Sequence, residues 1–399
     1  MNRRESFKNY FFELPNFLTA FLVPILFITA SPMLVEMSKS TGYSVGDLSL
    51  IFTFFNVGIM LGQLTSIFYN RRFGKIKIIL GGYFIIIPCL ILLTLTNNLY
   101  FFYILYFLIG YIAGVIWLQA TKYILENKIQ NKDRLITVFL TFYPLGHLAA
   151  PQIASFLINH SFSWRYSYYF MSFLVIIIVI LYLILKKEER METFIEEENK
   201  LQLKKIFFNR RLNIIFIFGC VLMLFYTISE TVISAWVPTF LRNARFFNIQ
   251  SAGLVISIFW LAIIAGRIMV SFFAGRFKAN YIILILSVIA SASMIIFLSS
   301  NSLQLIIMAI IFAGFGYSGI LTLGISSAST VYEKGRGVLA SMVMVSANIG
   351  ISTAPFITRF FSRFNMTLSV AMAPIFMLFT SLIIIGKIIY ENIFREEKI

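Results

Sequence analysis

The sequence contains few charged residues and few cysteines for a chain of its length. Charged residues make up 13% of its 399 positions and hydrophobic residues 59%, whereas about a quarter of a soluble domain is charged. A soluble core cannot absorb so much apolar surface, so a soluble globular fold is excluded. The two cysteines, Cys89 and Cys220, lie far apart within apolar segments, and we expect neither a disulfide framework nor a thiolate metal site.

Acidic residues are also scarce, with 17 Asp and Glu against 33 Lys and Arg and a formal net charge of +16. In a soluble protein this excess would indicate a nucleic-acid partner. Here the basic residues lie in short segments between apolar runs, so we expect a lipid bilayer as partner and no nucleic acid. Because no Walker-type loop, metal-ligand spacing or nucleophile with its base is apparent, we expect neither an enzyme nor a cofactor.

Apolar runs long enough to cross a bilayer, about 20 residues each, recur along the whole chain. They predict an all-α membrane protein with twelve transmembrane helices in two pseudo-symmetric six-helix bundles. The N-terminal bundle is predicted over residues 1–185 and the C-terminal bundle over 212–399, with a charged cytoplasmic linker at 186–211. The predicted spans are Leu14–Met37, Asp47–Asn70, Ile76–Thr96, Leu99–Glu126, Arg134–Ile158, Arg165–Leu185, Leu212–Leu241, Gln250–Gly275, Tyr281–Ser299, Ser302–Val331, Gly337–Phe360 and Thr367–Ile389.

The distribution of Lys and Arg predicts the orientation of these spans. Cytoplasmic loops accumulate positive charge. Most of the 33 basic residues fall in alternate segments, on the same side as the N-terminus and the linker. Both termini are therefore predicted to be cytoplasmic. Abundant Ile, Phe, Asn and Lys are typical of an AT-rich bacterial genome, which suggests the bacterial inner membrane.

An internal repeat relates the two predicted bundles. Glycine and proline mark close packing and bends in membrane helices, so matched positions indicate a shared backbone shape. Because six spans separate equivalent points, the halves have the same orientation, and a binding site for a small molecule is expected between them near the midplane. This is the geometry of a transporter. A shift of 204 residues places Gly62 on Gly266, Gly110 on Gly314, Gly146 on Gly350 and Ala150-Pro151 on Ala354-Pro355.

Two short loops carry a recognisable motif. The loop after predicted span 2 reads Arg72-Phe73-Gly74-Lys75, with Arg71 before it and Lys77 after it, and Arg276-Phe277-Lys278 echoes it 204 residues later. In these loops the chain resembles the major facilitator superfamily, a resemblance that extends over nearly its whole length. It implies the twelve-helix fold of that family and gating loops that include Arg72, Gly74, Lys75 and Arg276. Arg71 stands where the family usually has an aspartate.

Predicted spans 7 and 8 carry a second resemblance, in Tyr226, Glu230, Ser234, Trp236, Pro238, Gly253, Phe259-Trp260 and Gly266-Arg267. This stretch resembles the fucose-permease-like branch of the family, the fucose/galactose/glucose:proton symporters. The resemblance implies proton-coupled uptake of sugars or other small nutrients. The chain departs from that branch in spans 1 and 4, which have no acidic residue between Glu13 and Glu36 or before Glu126.

Two side chains are candidates for proton coupling. Glu230 lies well inside predicted span 7, and ionisable groups in a membrane are functional by default because each costs about 2.5 to 3.5 kcal/mol to insert. Its alternative role is a structural ion pair with a cation on another helix. His147 lies halfway along span 5 beside Tyr143 and two prolines, and imidazole titrates near neutral pH. Its alternative is a structural bond to a carbonyl freed by Pro151.

Two cations also fall within predicted spans. Lys122 shares a face of span 4 with Gln119. It lies only four residues before Glu126, near the cytoplasmic end of the span, so its side chain can extend to the cytoplasmic surface. Arg267, deep in span 8, can clamp a substrate carboxylate or phosphate, or pair with Glu230 or helix-end carbonyls. Together with uncharged polar and aromatic groups these cations form the predicted substrate-binding set. Its members are Asn56, Gln119, Lys122, Tyr143, Gln152, Tyr226, Trp260, Arg267 and Asn348.

The sequence therefore predicts a monomeric secondary transporter that imports a small polar solute by proton symport. One alternative is proton-coupled efflux. Drug antiporters of this family carry a glycine-rich motif in span 5, and most of those glycines are absent around Ala150-Pro151, which argues against efflux. Another is transport of an anionic solute, such as a carboxylate or an iron chelate, through Lys122 and Arg267. A channel is disfavoured because polar residues are scattered over many spans.

Overall fold

The computed structural model describes residues 3–69, 74–126, 132–185, 210–273, 276–329 and 336–396. Nearly all of them are helical, which confirms the predicted all-α class. Three predicted spans are each divided into two helices, at Thr29, Ser49 and Ser318-Gly319. The helices are α1 Arg3–Ile28, α2 Ala30–Thr41, α3 Val45–Leu48, α4 Leu50–Tyr69, α5 Lys75–Leu95, α6 Leu99–Glu126, α7 Lys132–Asn159, α8 Arg165–Leu185, α9 Arg210–Asn243, α10 Ile249–Phe273, α11 Ala279–Ser299, α12 Leu303–Tyr317, α13 Ile320–Ser329, α14 Arg336–Ser362 and α15 Met366–Glu396.

Ten helical segments in the described part of the chain are long and apolar enough to cross a membrane. Two further helices, α7 and α14, have 28 and 27 residues and are also long enough to cross, which gives the twelve predicted spans. Under the 204-residue shift Lys132 falls on Arg336, so these two helices are repeat equivalents that begin at matching positions. Both are richer in polar side chains than their neighbours.

The chain divides into two compact units. Unit 1 comprises Met1–Ile195 and Asn248–Ser257, and unit 2 comprises Glu196–Phe247 and Ile258–Ile399. Most of the predicted linker at 186–211 lies outside the described residues, and its last two residues, Arg210 and Arg211, begin α9.

The 204-residue repeat is visible in close packing at equivalent glycines. In unit 1 a side-chain carbon on Gly110 of α6 would overlap the backbone of Phe55 in α4. In unit 2 a side-chain carbon on Gly314 of α12 would overlap the carbonyl oxygen of Phe259 in α10. Gly314 lies 204 residues after Gly110, and Phe259 lies 204 residues after Phe55. The equivalent glycines therefore contact equivalent neighbours. The shared backbone shape inferred from the sequence is therefore present at these contacts.

A buried polar network joins α1, α5 and α8 within unit 1. The Asn16 amide donates to Glu13 Oε2 at 2.6 Å, and the Tyr182 hydroxyl donates to Asn16 Oδ1 at 2.6 Å. One turn further along α1, the Thr19 hydroxyl lies 2.7 Å from the Tyr83 hydroxyl. All five side chains are buried. Glu13, which the sequence placed only at the end of a span, is thus a fully buried carboxyl group linked through Asn16 to α8.

Candidate functional site

The site in unit 2 starts from two side chains one turn apart on α9. The Tyr226 hydroxyl donates to Glu230 Oε1 at 2.8 Å, as the spacing of four residues on one helix face allows. Tyr226 is completely buried, whereas Glu230 is partly exposed. The hydrogen bond from a buried phenol gives the carboxyl group a fixed direction. The structure thus joins two of the predicted site residues.

The same phenol also contacts the end of a neighbouring helix. The Tyr226 hydroxyl lies 3.2 Å from the carbonyl oxygen of Tyr317, the last residue of α12. Directly after it, the two turn residues Ser318-Gly319 separate α12 from α13. Carbonyls at a helix end lack some of their intrahelical donors, so a side-chain donor is favourable there. Interrupted membrane helices of this kind line ion and substrate sites in transporters.

The Tyr317 ring is fixed independently of its carbonyl group. Its hydroxyl makes a short hydrogen bond with Ser229 of α9, and Ser229 Oγ donates to the carbonyl oxygen of Ala373 in α15 at 2.6 Å. The Tyr226 and Tyr317 rings lie 5.8 Å apart. Three helices therefore hold the two tyrosines in place around the interruption.

Arg267 of α10 supplies the positive charge of the site. Its guanidinium interacts electrostatically with both the Glu230 carboxyl and the Tyr226 hydroxyl. The side chain is partly exposed, and its Nε has no hydrogen-bond partner among the described residues. This Nε is buried, and no salt bridge joins Arg267 to Glu230 among the described residues, so substrate binding and structural pairing both stay predictions for Arg267.

An aromatic wall adjoins the cluster on α10. The Phe259 ring lies 5.4 Å from the Tyr317 ring and 5.9 Å from the Trp260 ring. Trp260 is almost completely buried, so it borders the cluster as a packing group. Asn348 of α14, another predicted binding residue of unit 2, is partly exposed and follows Ala347, whose carbonyl accepts a hydrogen bond from Thr227 at 2.9 Å.

Unit 1 carries a second group of predicted site residues on α6 and α7. The Tyr143 ring lies between two others, 4.7 Å from His147 and 5.2 Å from Trp117. Tyr143 is partly exposed and His147 is 3% exposed. The histidine is thus shielded by aromatic neighbours, whereas the tyrosine has the freer surface of the two.

Asn56 and Gln119 are bound to groups of unit 1. The Asn56 amide donates to the carbonyl of Phe52 in its own helix at 2.7 Å. The Gln119 amide donates to Ser66 Oγ at 2.7 Å and links α6 to α4. Lys122, one turn beyond Gln119, is partly exposed. Of these three, Lys122 has the most accessible side chain.

Gln152 joins α7 to the first turns of α10, which belong to unit 1. Its amide donates to Ser257 Oγ at 3.0 Å, and Ser257 Oγ donates to the carbonyl of Leu148 at 2.8 Å. A side-chain carbon on Gly253 would overlap Ser155, so the two helices touch closely. In this conformation Gln152 holds a helix contact.

The predicted gating loops are described only in part. Gly74 is the N-cap residue of α5 and Lys75 its first residue. Arg276 lies exposed in the turn before α11. Arg72 lies outside the described residues.

The sequence analysis missed Tyr317 and the interruption that follows it. The nearby Gly314 indicated only close packing and a shared backbone shape. The signal was present in Gly316-Tyr317-Ser318-Gly319, a run of turn-forming residues in an apolar segment. The acceptor at Tyr317 is a backbone carbonyl, which no side-chain pattern reveals.

The all-helical fold, the membrane-length helices and the charged cluster beside an interrupted helix define an integral membrane transporter. The chain belongs to the Major Facilitator Superfamily, whose pattern it matches over residues 17–355. The expectation drawn from the loop motif is thereby confirmed. The fold is that of a twelve-helix transporter with two pseudo-symmetric bundles.

The chain is similar to two bacterial proteins and to two solved structures. Protein TsgA homolog of Buchnera aphidicola subsp. Schizaphis graminum is 25% identical over 341 residues, covering 84% of this chain and 86% of that protein. Protein TsgA homolog of Yersinia enterocolitica is 21% identical over 82% of each chain. Two solved structures share the fold. The nucleoside transporter NupG has a TM-score of 0.75 at 13% identity, covering 98% and 99% of the chains, and a D-xylose-proton symporter has 0.76 at 13%, covering 94% and 97%.

Proposed function

We propose that this protein imports a small polar solute together with protons, by alternating access, and that Glu230 carries the proton. The observation that supports this role is an acidic residue inside a membrane span, bonded to a buried phenol and within electrostatic range of Arg267. An ionisable group in this position costs about 2.5 to 3.5 kcal/mol to insert, so we expect it to have a functional or structural role.

The chemistry follows from the charges of the cluster. An ionised Glu230 attracts Arg267, and a proton on Glu230 removes that attraction. Arg267 is then available to a solute, whose binding is favoured once the proton has bound. Release of the proton on the other side reverses the order. The similarity to a D-xylose-proton symporter and a nucleoside transporter supports a polar solute of comparable size.

The setting we propose is the bacterial inner membrane, with both termini in the cytoplasm and the chain acting as a monomer. The bacterial relatives support the membrane, and the charge distribution of the loops supports the orientation. In this orientation inward proton flow drives solute accumulation in the cell.

Uptake by proteoliposomes tests the proposal. The wild-type protein is assayed with labelled D-xylose, D-glucose, uridine and citrate, in counterflow and under an inward proton gradient. We expect at least one neutral solute to be accumulated only with the gradient. Glu230→Gln abolishes accumulation but retains counterflow of the same solute, because solute binding persists without proton release.

Glu391→Gln is the matched control. Glu391 is a carboxylate of the same unit that accepts a hydrogen bond from Asn280 at 2.8 Å, away from the Tyr226 cluster. This variant should accumulate solute as the wild type does. Gradient-driven uptake that survives in Glu230→Gln would refute the assignment of the proton to this residue.

A second candidate is import of an anionic solute, favoured by the partly exposed cationic side chain of Arg267 inside a membrane span. Arginine binds carboxylates through two parallel hydrogen bonds, which lysine does not reproduce. Under this alternative, citrate is the accumulated solute, and Arg267→Lys reduces its uptake at least as strongly as that of the neutral solutes. If Arg267→Lys impairs only neutral solutes, the anionic candidate is wrong.

A further inference from the structure

We propose that Tyr226 couples the protonation of Glu230 to the interruption between α12 and α13, as a positioning residue. The proposal rests on the proposed proton site at Glu230. The sequence suggested Tyr226 as a substrate-binding residue. Its complete burial and its two hydrogen bonds instead assign the hydroxyl to the protein interior.

The geometry gives one hydrogen two acceptors. The Tyr226 hydroxyl lies 2.8 Å from Glu230 Oε1 and 3.2 Å from the carbonyl oxygen of Tyr317. A phenol has a single O–H donor, so it cannot make a full hydrogen bond to both at once. The stronger acceptor receives the hydrogen bond, and the hydrogen bond to the other acceptor is weakened or lost.

The charge on Glu230 decides which acceptor is stronger. An ionised carboxylate only accepts hydrogen bonds and makes stronger ones than a neutral carbonyl, so the phenol donates to Glu230. When a proton binds Oε1, the acid O–H donates to the Tyr226 oxygen, and the phenol turns its own hydrogen to the Tyr317 carbonyl. No covalent bond changes except the O–H bond formed on Glu230. The end of α12 gains a donor in the protonated state and loses it in the ionised state.

The surroundings confine the effect to the helix junction. The Tyr317 ring remains held through Ser229 and Ala373 in both states. The next residue, Ser318, packs against α10, where a side-chain carbon on Gly266 would lie 2.6 Å from Ser318 Oγ. The charged and titratable groups that act on Glu230, among the described residues, are Tyr226 of its own helix, Arg267 of α10 and Tyr317 of α12. The positive charge of Arg267 stabilises the ionised carboxylate of Glu230. The Tyr226 hydroxyl therefore keeps donating to Glu230 until a proton binds the carboxylate.

Hydrogen exchange at the junction tests this coupling without knowledge of the solute. Amide exchange of peptides covering residues 315–323 is measured for the full-length protein in proteoliposomes, at about pH 5 and about pH 9, and corrected for intrinsic exchange. We expect roughly tenfold greater protection at the acidic pH, the size of one hydrogen bond to the helix end. In Tyr226→Phe and in Glu230→Gln this pH dependence should disappear.

Two controls separate coupling from damage to the fold. Tyr317→Phe loses its bond to Ser229 but keeps the carbonyl acceptor, so the pH dependence should persist. Tyr182→Phe removes a buried hydroxyl of unit 1, bonded to Asn16 at 2.6 Å, and should also leave it intact. If the pH dependence persists in Tyr226→Phe, or is absent from the wild type, the inference is wrong.

An infrared measurement on the wild type applies even where Tyr226→Phe does not fold. The difference spectrum between the two pH values should contain a tyrosine band that changes together with a carboxylic-acid band, and both should be lost in Glu230→Gln. A carboxyl change without a tyrosine change overturns the inference. Failure of the proposed transport function is read separately, as gradient-driven uptake that survives Glu230→Gln.

Discussion

The same stretch of the repeat is built differently in the two units. In unit 1, α6 runs unbroken from Leu99 to Glu126. In unit 2 the equivalent stretch is interrupted at Ser318-Gly319, which falls on Gly114-Val115 of α6 under the 204-residue shift. One unit therefore has a continuous helix where the other has a junction, although the 204-residue repeat relates the two stretches.

The packing around these helices differs in the same direction. In unit 1 four glycines bring α4 and α6 together, and a side-chain carbon on any of them would overlap the opposite backbone. In unit 2 two of the four are replaced, Gly58 by Ala262 and Gly114 by Ser318. Side chains now separate parts of the two backbones. Close-packed pairs resist rearrangement, so we expect the α4–α6 pair of unit 1 to be more rigid than the α10–α12 pair of unit 2. The four glycines are Gly58, Gly62, Gly110 and Gly114.

The chemistry is distributed just as unequally. The positions of unit 1 equivalent to Tyr226, Glu230 and Tyr317 hold Leu22, Leu26 and Ala113. Gln63 stands at the position equivalent to Arg267. The pseudo-symmetry is thus one of backbone shape. The charged cluster belongs to unit 2, beside the junction at Ser318-Gly319, which supports a transport cycle in which this junction takes part.

The largest effect is expected where the rigid pair is disturbed. A side-chain carbon on Gly62 would overlap the Tyr111 carbonyl, a backbone atom that cannot rotate away. We expect Gly62→Ala to lower the free energy of unfolding by about 3 kcal/mol, as severe overpacking does. Unfolding in mixed micelles titrated with sodium dodecyl sulfate measures it. Gly81→Ala is the control, because nothing lies within 4 Å of its added carbon, and it should be neutral or stabilising.

A smaller effect is expected at the equivalent position of unit 2. The added carbon of Gly266→Ala meets the side chain of Ser318 at 2.6 Å instead of a backbone carbonyl. We expect a loss of about 1 to 2 kcal/mol, and recovery of most of it in the double variant Gly266→Ala/Ser318→Gly. A loss as large as that of Gly62→Ala, or no recovery, would contradict the difference drawn between the units.

The smallest effect concerns a polar link that unit 2 lacks. Gln119 donates to Ser66 Oγ at 2.7 Å, whereas the equivalents in unit 2 are Leu323 and Val270. Gln119→Leu should cost about 1 kcal/mol, the usual size of a hydrogen bond between membrane helices. The double variant Gln119→Leu/Ser66→Val, which copies unit 2, should be less than additive in the same unfolding assay. Strict additivity would mean that the two side chains do not stabilise each other.

Much of this organisation could be predicted from the sequence. Apolar runs predict membrane spans because a backbone in lipid must satisfy its own hydrogen bonds, which a helix does. All predicted spans correspond to described helices. The repeat followed from glycines such as Gly110 and Gly314, since close helix contact tolerates little else. Tyr226 and Glu230 were placed on one face by their spacing, and the hydrogen bond between them agrees with it.

The remaining features depend on contacts between distant parts of the chain. Tyr317 enters the site through a backbone carbonyl 91 residues from Tyr226. Gln119, which stays a predicted substrate-binding residue, donates to Ser66, 53 residues away. Glu13 reads from the sequence as the end of a span, and only the neighbouring helices make it a buried group. A local pattern records none of these partners.

The network around Glu13 also bears on how the protein is made. Asn16 receives its hydrogen bond from Tyr182, which follows it by 166 residues. Chains enter the membrane from the N-terminus onwards during synthesis. The hydrogen bond from Tyr182 to Asn16 can therefore form only after α8 has been synthesised. Completion of this polar network is thus a late step in the synthesis of unit 1.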